Sequence, residues 1–536
     1  MRAASSIAVI TLTAVMSACH QSAPNTSASA SVLSAEPHRP LYHFTPPAKW
    51  MNDPNGMVFY EGEYHLFYQY FPDSTVWGPM HWGHAVSTDL ANWTHLPIAL
   101  YPDSIGLIFS GSAVVDWKNT SGFGKDGKPP LVAMFTQHNL AREKAGDTLV
   151  QKQSIAYSND RGRTWTKFEG NPVIPNPGLK DFRDTKVIWH EASQRWIMVL
   201  AAGDRVRLYA SYNLREWQQV SDFGAKVGAH GGVWECPDLF PIRIEGTTDT
   251  RWVLLVSINP GGPNGGSATQ YFVGNFDGST FTIDPTFPTS VGTAEKDPSR
   301  GVWVDHGRDN YAGVTWSDIP AEDGRRIFLG WMSNWDYATV VPTASWRSAM
   351  TVPRTLTLHR TSAGLRLFST PVGELRLLRG ETLTIPSQRI GGALPLRMPS
   401  GATPASADID LEFLVPAGAT TDLALELSNA AGESYRIGFD AAAKQFYSDR
   451  TNTPHAFSPT FATAVHHAPR IVSDSIVRMH LYIDRASVEL FADGGATALT
   501  DIVFPSQDWS SMRLFVKGSA VRLRYASISG MRAMRK

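Results

Sequence analysis

The sequence predicts an all-β protein, a propeller followed by a β-sandwich, and three observations carry that reading. Short runs with period-two alternation, such as Tyr64-His65-Leu66-Phe67-Tyr68, Trp196-Ile197-Met198-Val199-Leu200 and Trp252-Val253-Leu254-Leu255-Val256, are separated by turn residues, and no long stretch has helical period. A polar turn leading to an aromatic recurs at intervals of several tens of residues: Ser87-Thr88-Asp89 before Trp93, Ser158-Asn159-Asp160 before Trp165, Ser211-Tyr212-Asn213 before Trp217, and more loosely Asn275-Phe276-Asp277-Gly278 before Phe281. That spacing is the size of a four-stranded unit, and such a turn suits the strand pair at a propeller blade's outer edge. Finally, of 17 Trp only Trp509 lies beyond Trp346, so the composition changes sharply there.

Taken in order, residues 1–19 carry Arg2, the apolar run Ile7 to Met16 and then Ser17-Ala18-Cys19, which has the form of an export signal. Cys19 after small residues also fits a lipoprotein box, with the Cys as lipidated N-terminus; cleavage without a lipid is the plainer alternative. A Ser/Ala-rich flexible tether is expected over 20–37. The propeller is expected over 38–372, a short linker over 373–386, and over 387–536 a sandwich whose strands alternate cleanly, as in Ala407-Asp408-Ile409-Asp410-Leu411-Glu412-Phe413.

A chain of 536 residues is too long for one core, in keeping with two domains. A formal charge of −1 with acids and bases intermixed provides no broad basic field for nucleic acid, and a neutral substrate fits best. Only Cys19 and Cys236 exist, so a lipidated Cys19 leaves no intramolecular disulfide; Cys236 is expected as a buried thiol acting as a small hydrophobe. No metal or other cofactor is expected, because the histidines are mostly scattered singly and no Cys/His cluster has ligand spacing.

Three acidic motifs stand out. Asp53 lies in Trp50-Met51-Asn52-Asp53-Pro54-Asn55-Gly56, Asp184 in Phe182-Arg183-Asp184-Thr185, and Glu235 in Trp234-Glu235-Cys236-Pro237-Asp238. Taken alone, the first reads as a turn and Arg183-Asp184 as a surface ion pair. In a propeller, however, the inner strands of all blades meet at one central funnel. Asp53, beside amide donors, is expected to stay ionised, and Glu235, between Trp234 and Cys236, to hold a proton by burial. Two carboxyls with opposed environments are what glycoside cleavage requires, with Asp53 as nucleophile and Glu235 as acid/base; a separation of about 5 to 5.5 Å would retain configuration.

Further stretches extend the pattern: Phe67-Tyr68-Gln69, Trp77-Gly78, His81-Trp82-Gly83-His84-Ala85, Phe109-Ser110-Gly111-Ser112, Gly330-Trp331-Met332-Ser333-Asn334-Trp335, Trp346-Arg347, Pro353-Arg354 and, far downstream, Asp484-Arg485-Ala486-Ser487-Val488-Glu489-Leu490-Phe491. Together with the acidic motifs these resemble glycoside hydrolase family 32, the β-fructosidases, and especially its exo-acting levanases and inulinases. The resemblance implies a five-bladed propeller with a β-sandwich, a fructan or sucrose substrate, and release of terminal fructose through a covalent intermediate. It implies Asp184 as transition-state stabiliser, and Asn52, Gln69, Trp77, Phe109, Ser110, Arg183 and Trp335 as lining for the terminal fructose. The family usually has Pro after the Arg-Asp pair where this chain has Thr185, which removes a restriction on Asp184; the retained neighbours Phe182, Arg183, Lys186 and Val187 lead us to expect its carboxylate in place. A sucrose-preferring invertase and a fructosyltransferase share the same carboxylates. A non-catalytic fructan-binding protein would ordinarily have lost one of the two, and both stand here. The sandwich is expected to pack against the propeller, and oligomeric state is not readable.

Overall fold

Five strands start the five blades of a propeller: β1 (Lys49–Tyr60), β2 (Leu107–Val115), β3 (Arg183–His190), β4 (Val233–Arg243) and β5 (Tyr311–Thr315). Each touches the next and β5 returns to β1, so they ring a central channel. Their buried, largely apolar character follows from being enclosed on both faces. The computed structural model describes residues 1, 36–288 and 300–535. The export signal and lipoprotein box expected at 1–19, Cys19 included, and the tether at 20–37 fall almost wholly outside the described residues.

From each inner strand the chain meanders outward through antiparallel neighbours, as from β1 to Glu63–Phe71, His81–Ser87 and Thr94–Leu100. The recurring polar turns lie between the two outermost strands of their blades. In blade 1 the Ser87 hydroxyl donates to Asp89 and accepts from the Asp89 N–H, while the Trp93 indole donates to the Leu90 carbonyl. Trp165 and Trp217 donate likewise to Gly162 and Leu214. In blade 4 Asp277 accepts from the amides of Ser279 and Thr280 just before Phe281. The repeat is thus a self-satisfied turn that tucks an aromatic under its own hairpin. The ring closes where Trp346–Arg347, from within blade 5, pairs in parallel with Lys49 and Trp50 of β1.

Gly373–Leu378 is a 3₁₀ turn that buries Leu375 and Leu378, and Arg379–Ile385, inside the segment expected as linker, is already a strand paired with Ala526–Met531. One long strand, Ser511–Met531, runs through the sandwich and pairs along its length with Gln388–Leu396, Asp422–Ser428 and Ala407–Leu414. The sandwich core is aliphatic and aromatic, with Trp509 the one indole in it. Among the described residues the only α-helix is the five-residue Leu140–Lys144.

Propeller and sandwich belong to one unit that begins at His38, and a buried polar network joins them. Arg354 of the propeller donates to Asp305 at 2.8 Å, to Thr500 at 2.6 Å and to Glu489 of the sandwich. Glu489 also accepts from the Val352 N–H at 2.8 Å. His43 completes the network, with Nδ1 2.9 Å from Asp484 and Nε2 2.8 Å from Glu489. A second knot ties Arg450 of the sandwich to Asp309 and Tyr337 of the propeller at 2.7 and 2.8 Å.

Burial by itself would lower the His43 pKa, but hydrogen bonds to Asp484 and Glu489 and their charges push it from 6.5 up to about 9. A group raised in the folded state stabilises fully below its unfolded pKa, and the contribution is lost as pH rises through the folded value. It corresponds to about 3 kcal/mol. Unfolding midpoints are therefore expected to fall as pH is raised from 6.5 to about 9, and His43→Gln to remove most of that slope. Parallel pH profiles for the two proteins would contradict this role for His43.

Candidate active site

Each inner strand is irregular near its N-terminal end, where the register with its neighbour slips: between Met51 and Pro54, Ile108 and Gly111, Arg183 and Thr185, Glu235 and Asp238, and Tyr311 and Val314. A bulge re-aims the side chains it carries, and these five aim Asp53, Ser110, Asp184, Glu235 and Tyr311 at the mouth of the channel. Asp184, Cys236 and Ala312 adopt φ of +66°, +46° and +54° to do so. Gly111 is required beside Ser110, because a Cβ there would lie 2.0 Å from the Met134 carbonyl oxygen.

All ten residues singled out above line one cavity of about 320 Å³. Asp53 lies deep within it. Its Oδ1 accepts from Asn52 Nδ2 at 3.0 Å and its Oδ2 from Ser110 Oγ at 2.7 Å. The Trp50 indole donates to Asn52 Oδ1 at 2.8 Å and so fixes that amide with its NH₂ toward Asp53. Asp184 Oδ2 accepts from the Cys236 N–H at 3.1 Å, and the Asp184 N–H donates to Thr136 at 3.0 Å. Thr185, where the family's usual proline would stand, donates to the Met134 carbonyl at 3.2 Å; contacts from neighbouring strands thus hold this segment.

Glu235 stands nearer the surface. Arg183 donates from Nε and Nη2 to its Oε1 at 3.0 and 2.9 Å, and the Tyr311 hydroxyl donates to Oε2. Arg183 is itself held by Asp181 at 2.6 Å. Trp335 stacks on Trp50 with ring centres 5.8 Å apart, and Trp77 meets Phe109 edge-on. Gln69 is buried, and its Nε2 has no hydrogen-bond partner among the described residues, leaving a donor for a ligand.

The electrostatics differ from the sequence expectation. Burial raises the Asp53 pKa and the Glu235 charge raises it further, while bonds from Ser110, Asn52 and Cys236 lower it only in part. Burial pushes Asp184 up to about 7, with Arg183 opposing and Glu235 and Asp53 adding to the rise. The apolar flanks expected to bury Glu235 do not do so. Trp234 projects away from it and stacks on His230 in the core, Cys236 sits on the bulge and faces Asp53 and Asp184, and Glu235 faces an arginine and a phenol.

Sequence reasoning missed Tyr311 and the His138–Glu143 pair. His138 lies flat on Phe109 at 4.5 Å and 3°, and its Nε2 is 3.0 Å from Glu143. It also undervalued Cys236. This free thiol lies 3.5 Å from Asp53 Oδ2 and 3.6 Å from Asp184 Oδ2, and burial together with the three carboxylates pushes its pKa far up, so it keeps its one proton to donate to either. Among the described residues the one group with metal-ligand geometry, Asp408, Asp410 and His480, lies on the sandwich, where His480 and Arg379 already bind Asp408.

A pocket that gathers three carboxylates, a guanidinium and indole faces at a propeller's mouth is the equipment of a glycoside hydrolase. The chain belongs to glycosyl hydrolases family 32: the model of that family's N-terminal domain matches residues 43–371 and that of its C-terminal domain residues 374–529. It is 47% identical to a levanase of Bacillus subtilis over 92% of this chain and 70% of that one. It is 41% identical to an extracellular exo-inulinase of Aspergillus niger, covering 90% and 93% of the two chains. The crystal structure of exo-inulinase from Aspergillus awamori superposes with a TM-score of 0.84 at 37% identity, over 93% of this chain and 99% of that one. A β-fructofuranosidase of Schwanniomyces occidentalis, complexed with fructosyl-erythritol, gives 0.80 at 31%, over 92% and 98%.

Proposed function

We propose that this glycoside hydrolase removes terminal fructose, one unit at a time, from fructans of levan or inulin type and from sucrose, with retention of configuration. The observation that carries the exo reading is a cavity with a closed floor. Beneath it the Lys186 ammonium donates to the Thr315 carbonyl and lies 3.5 Å from Asp238, which accepts from the Thr315 N–H and hydroxyl at 2.6 and 2.7 Å. This polar layer closes the channel, so a chain cannot thread through it and a terminal unit can seat against the floor.

In this reading Asp53 attacks the anomeric carbon while Glu235, nearer the mouth, protonates the departing oxygen. The fructosyl–Asp53 ester is then cleaved by a water that Glu235 deprotonates, restoring both groups. Asp184 accepts hydrogen bonds from fructosyl hydroxyls, Gln69 supplies its unpaired N–H, and Trp77, Phe109 and Trp335 face the sugar's C–H surface. Arg183 and Tyr311 fix the Glu235 carboxyl between them. The names of the levanase and exo-inulinase relatives support the polymer substrates, and the fructosyl-erythritol complex supports the bound sugar.

A time course on levan, inulin and sucrose tests this. Fructose is expected as the only polymer product from the first minutes, released initially as the β-anomer by NMR. Early oligosaccharides would overturn the exo reading, and an initial α-anomer the double displacement. Export is supported by residues 1–19 and by relatives named as extracellular, and a lipid on Cys19 as anchor by the small residues before it alone.

A further inference from the structure

The propeller channel has a second mouth. The catalytic residues occupy the N-terminal ends of β1 to β5, whereas a cavity of about 730 Å³ opens among the C-terminal ends of β2 to β4 and the segment after β5. Along β3 alone the path from Asp184 to Trp189 spans roughly 16 Å, and the layer of Lys186, Asp238 and Thr315 separates the two spaces. The far cavity has more than twice the volume of the catalytic one, about 320 Å³, and the proposed chemistry makes no use of it.

Its lining has the make-up of a carbohydrate site. Trp117 is 62% exposed yet pinned, its indole donating to Asp318 at 2.9 Å and its ring packed near Tyr60. A large aromatic held rigidly in solvent keeps a flat face for a partner. Trp189 lies on the same rim, with the Lys118 ammonium 4.5 Å from its ring centre. Deeper in, polar groups stand under-used. The Ser317 hydroxyl is buried without a partner among the described residues, and the Arg326 guanidinium, set over the Phe240 ring, contacts the Trp316 carbonyl at 3.5 Å. Charges in the lining are mixed, with Lys118, Arg326 and, in the dividing layer, Lys186 against Glu191 and Asp318, which suits a neutral ligand rich in hydroxyls over an ion.

We propose that this far mouth is a second carbohydrate site that holds a segment of fructan against Trp117, and so keeps polymer at the enzyme while ends are cleaved on the opposite face. The choice of fructan rests on the function proposed above. The test uses the full-length chain. In an Asp53→Asn background, which leaves polymer intact, retardation in native gels containing levan or inulin is measured with and without Trp117→Ala. The apparent affinity is expected to drop about fivefold or more, and Trp117→Phe, which keeps an aromatic face, to retain most of it. With Asp53 intact, Trp117→Ala is expected to hydrolyse sucrose at the parent rate while its KM for polymer rises. Equal retardation of Trp117→Ala and its parent overturns the proposal, as does a parallel loss of sucrose and polymer hydrolysis. Should Trp117→Ala not fold, Lys118→Ala at the exposed rim is expected to weaken retardation in the same assay, and no change there overturns the proposal equally. A parent enzyme that cleaves polymer but shows no Trp117-dependent binding defeats the far site alone; one that neither binds nor cleaves fructan defeats the substrate reading itself.

Discussion

Asp53→Asn is expected to lower kcat on sucrose by about 10⁴-fold or more while leaving the protein folded. The amide keeps the size of the carboxylate, its oxygen can still accept from Asn52 and its NH₂ can donate to the Ser110 hydroxyl, so packing is little disturbed, but it cannot form the fructosyl ester. The environment of Asp53 adds a pH signature. Burial first, and the nearby Glu235 charge, raise its pKa, so the rate is expected to fall on acidification at a pH above the ordinary carboxylate range, as the attacking group takes up a proton. Ser110 donates to the ionised form, and Ser110→Ala should move that limb to still higher pH. Initial rates across pH for the three proteins check both points. Activity within tenfold of wild type in Asp53→Asn would remove Asp53 from the chemistry.

Arg354→Met is expected to cost about 3–5 kcal/mol of stability. The guanidinium is fully buried and holds Asp305 on its own domain and Glu489 on the other. A neutral side chain of similar length fills the space but leaves Asp305 without its cation and Glu489 with His43 as its remaining one. Arg354→Lys is not a conservative control, since one ammonium cannot reproduce the fork that reaches Asp305, Thr500 and Glu489 together. The informative partner is Arg354→Met with Glu489→Gln, which should recover part of the loss because one stranded charge is gone. Denaturant unfolding of the single and double variants gives the comparison. A loss for Arg354→Met no larger than a surface ion pair's, about 1 kcal/mol or less, would show that the network does not couple the domains.

Much of the architecture was legible because strand patterns and turns are local. Ser87-Thr88-Asp89 with Trp93 announces its hairpin through bonds made within seven residues. Asp53, Asp184 and Glu235 were legible as residues but not in their electrical state. The flanks of Glu235 in sequence are Trp234 and Cys236, yet its flanks in space are Arg183 and Tyr311, supplied by two other blades. Tyr311 carried no local signal, since its importance comes from a bulge that no residue type marks. The same holds for Asp184, Cys236 and Ala312, non-glycine residues at positive φ. Arg354 and Glu489 had motifs that pointed to importance without saying whether it lay in chemistry or in joining domains; only their burial together decides for the second.

The parallel pairing of Trp346–Arg347 with Lys49–Trp50 bears on how the molecule is made. During synthesis the inner strand of the first blade lacks this partner until nearly three hundred further residues have left the ribosome, so that edge stays exposed meanwhile. Such distant pairing slows folding and exposes a nascent chain to aggregation. The latch joins segments far apart in the chain, and Asp53, three residues beyond Trp50, depends on it for its setting.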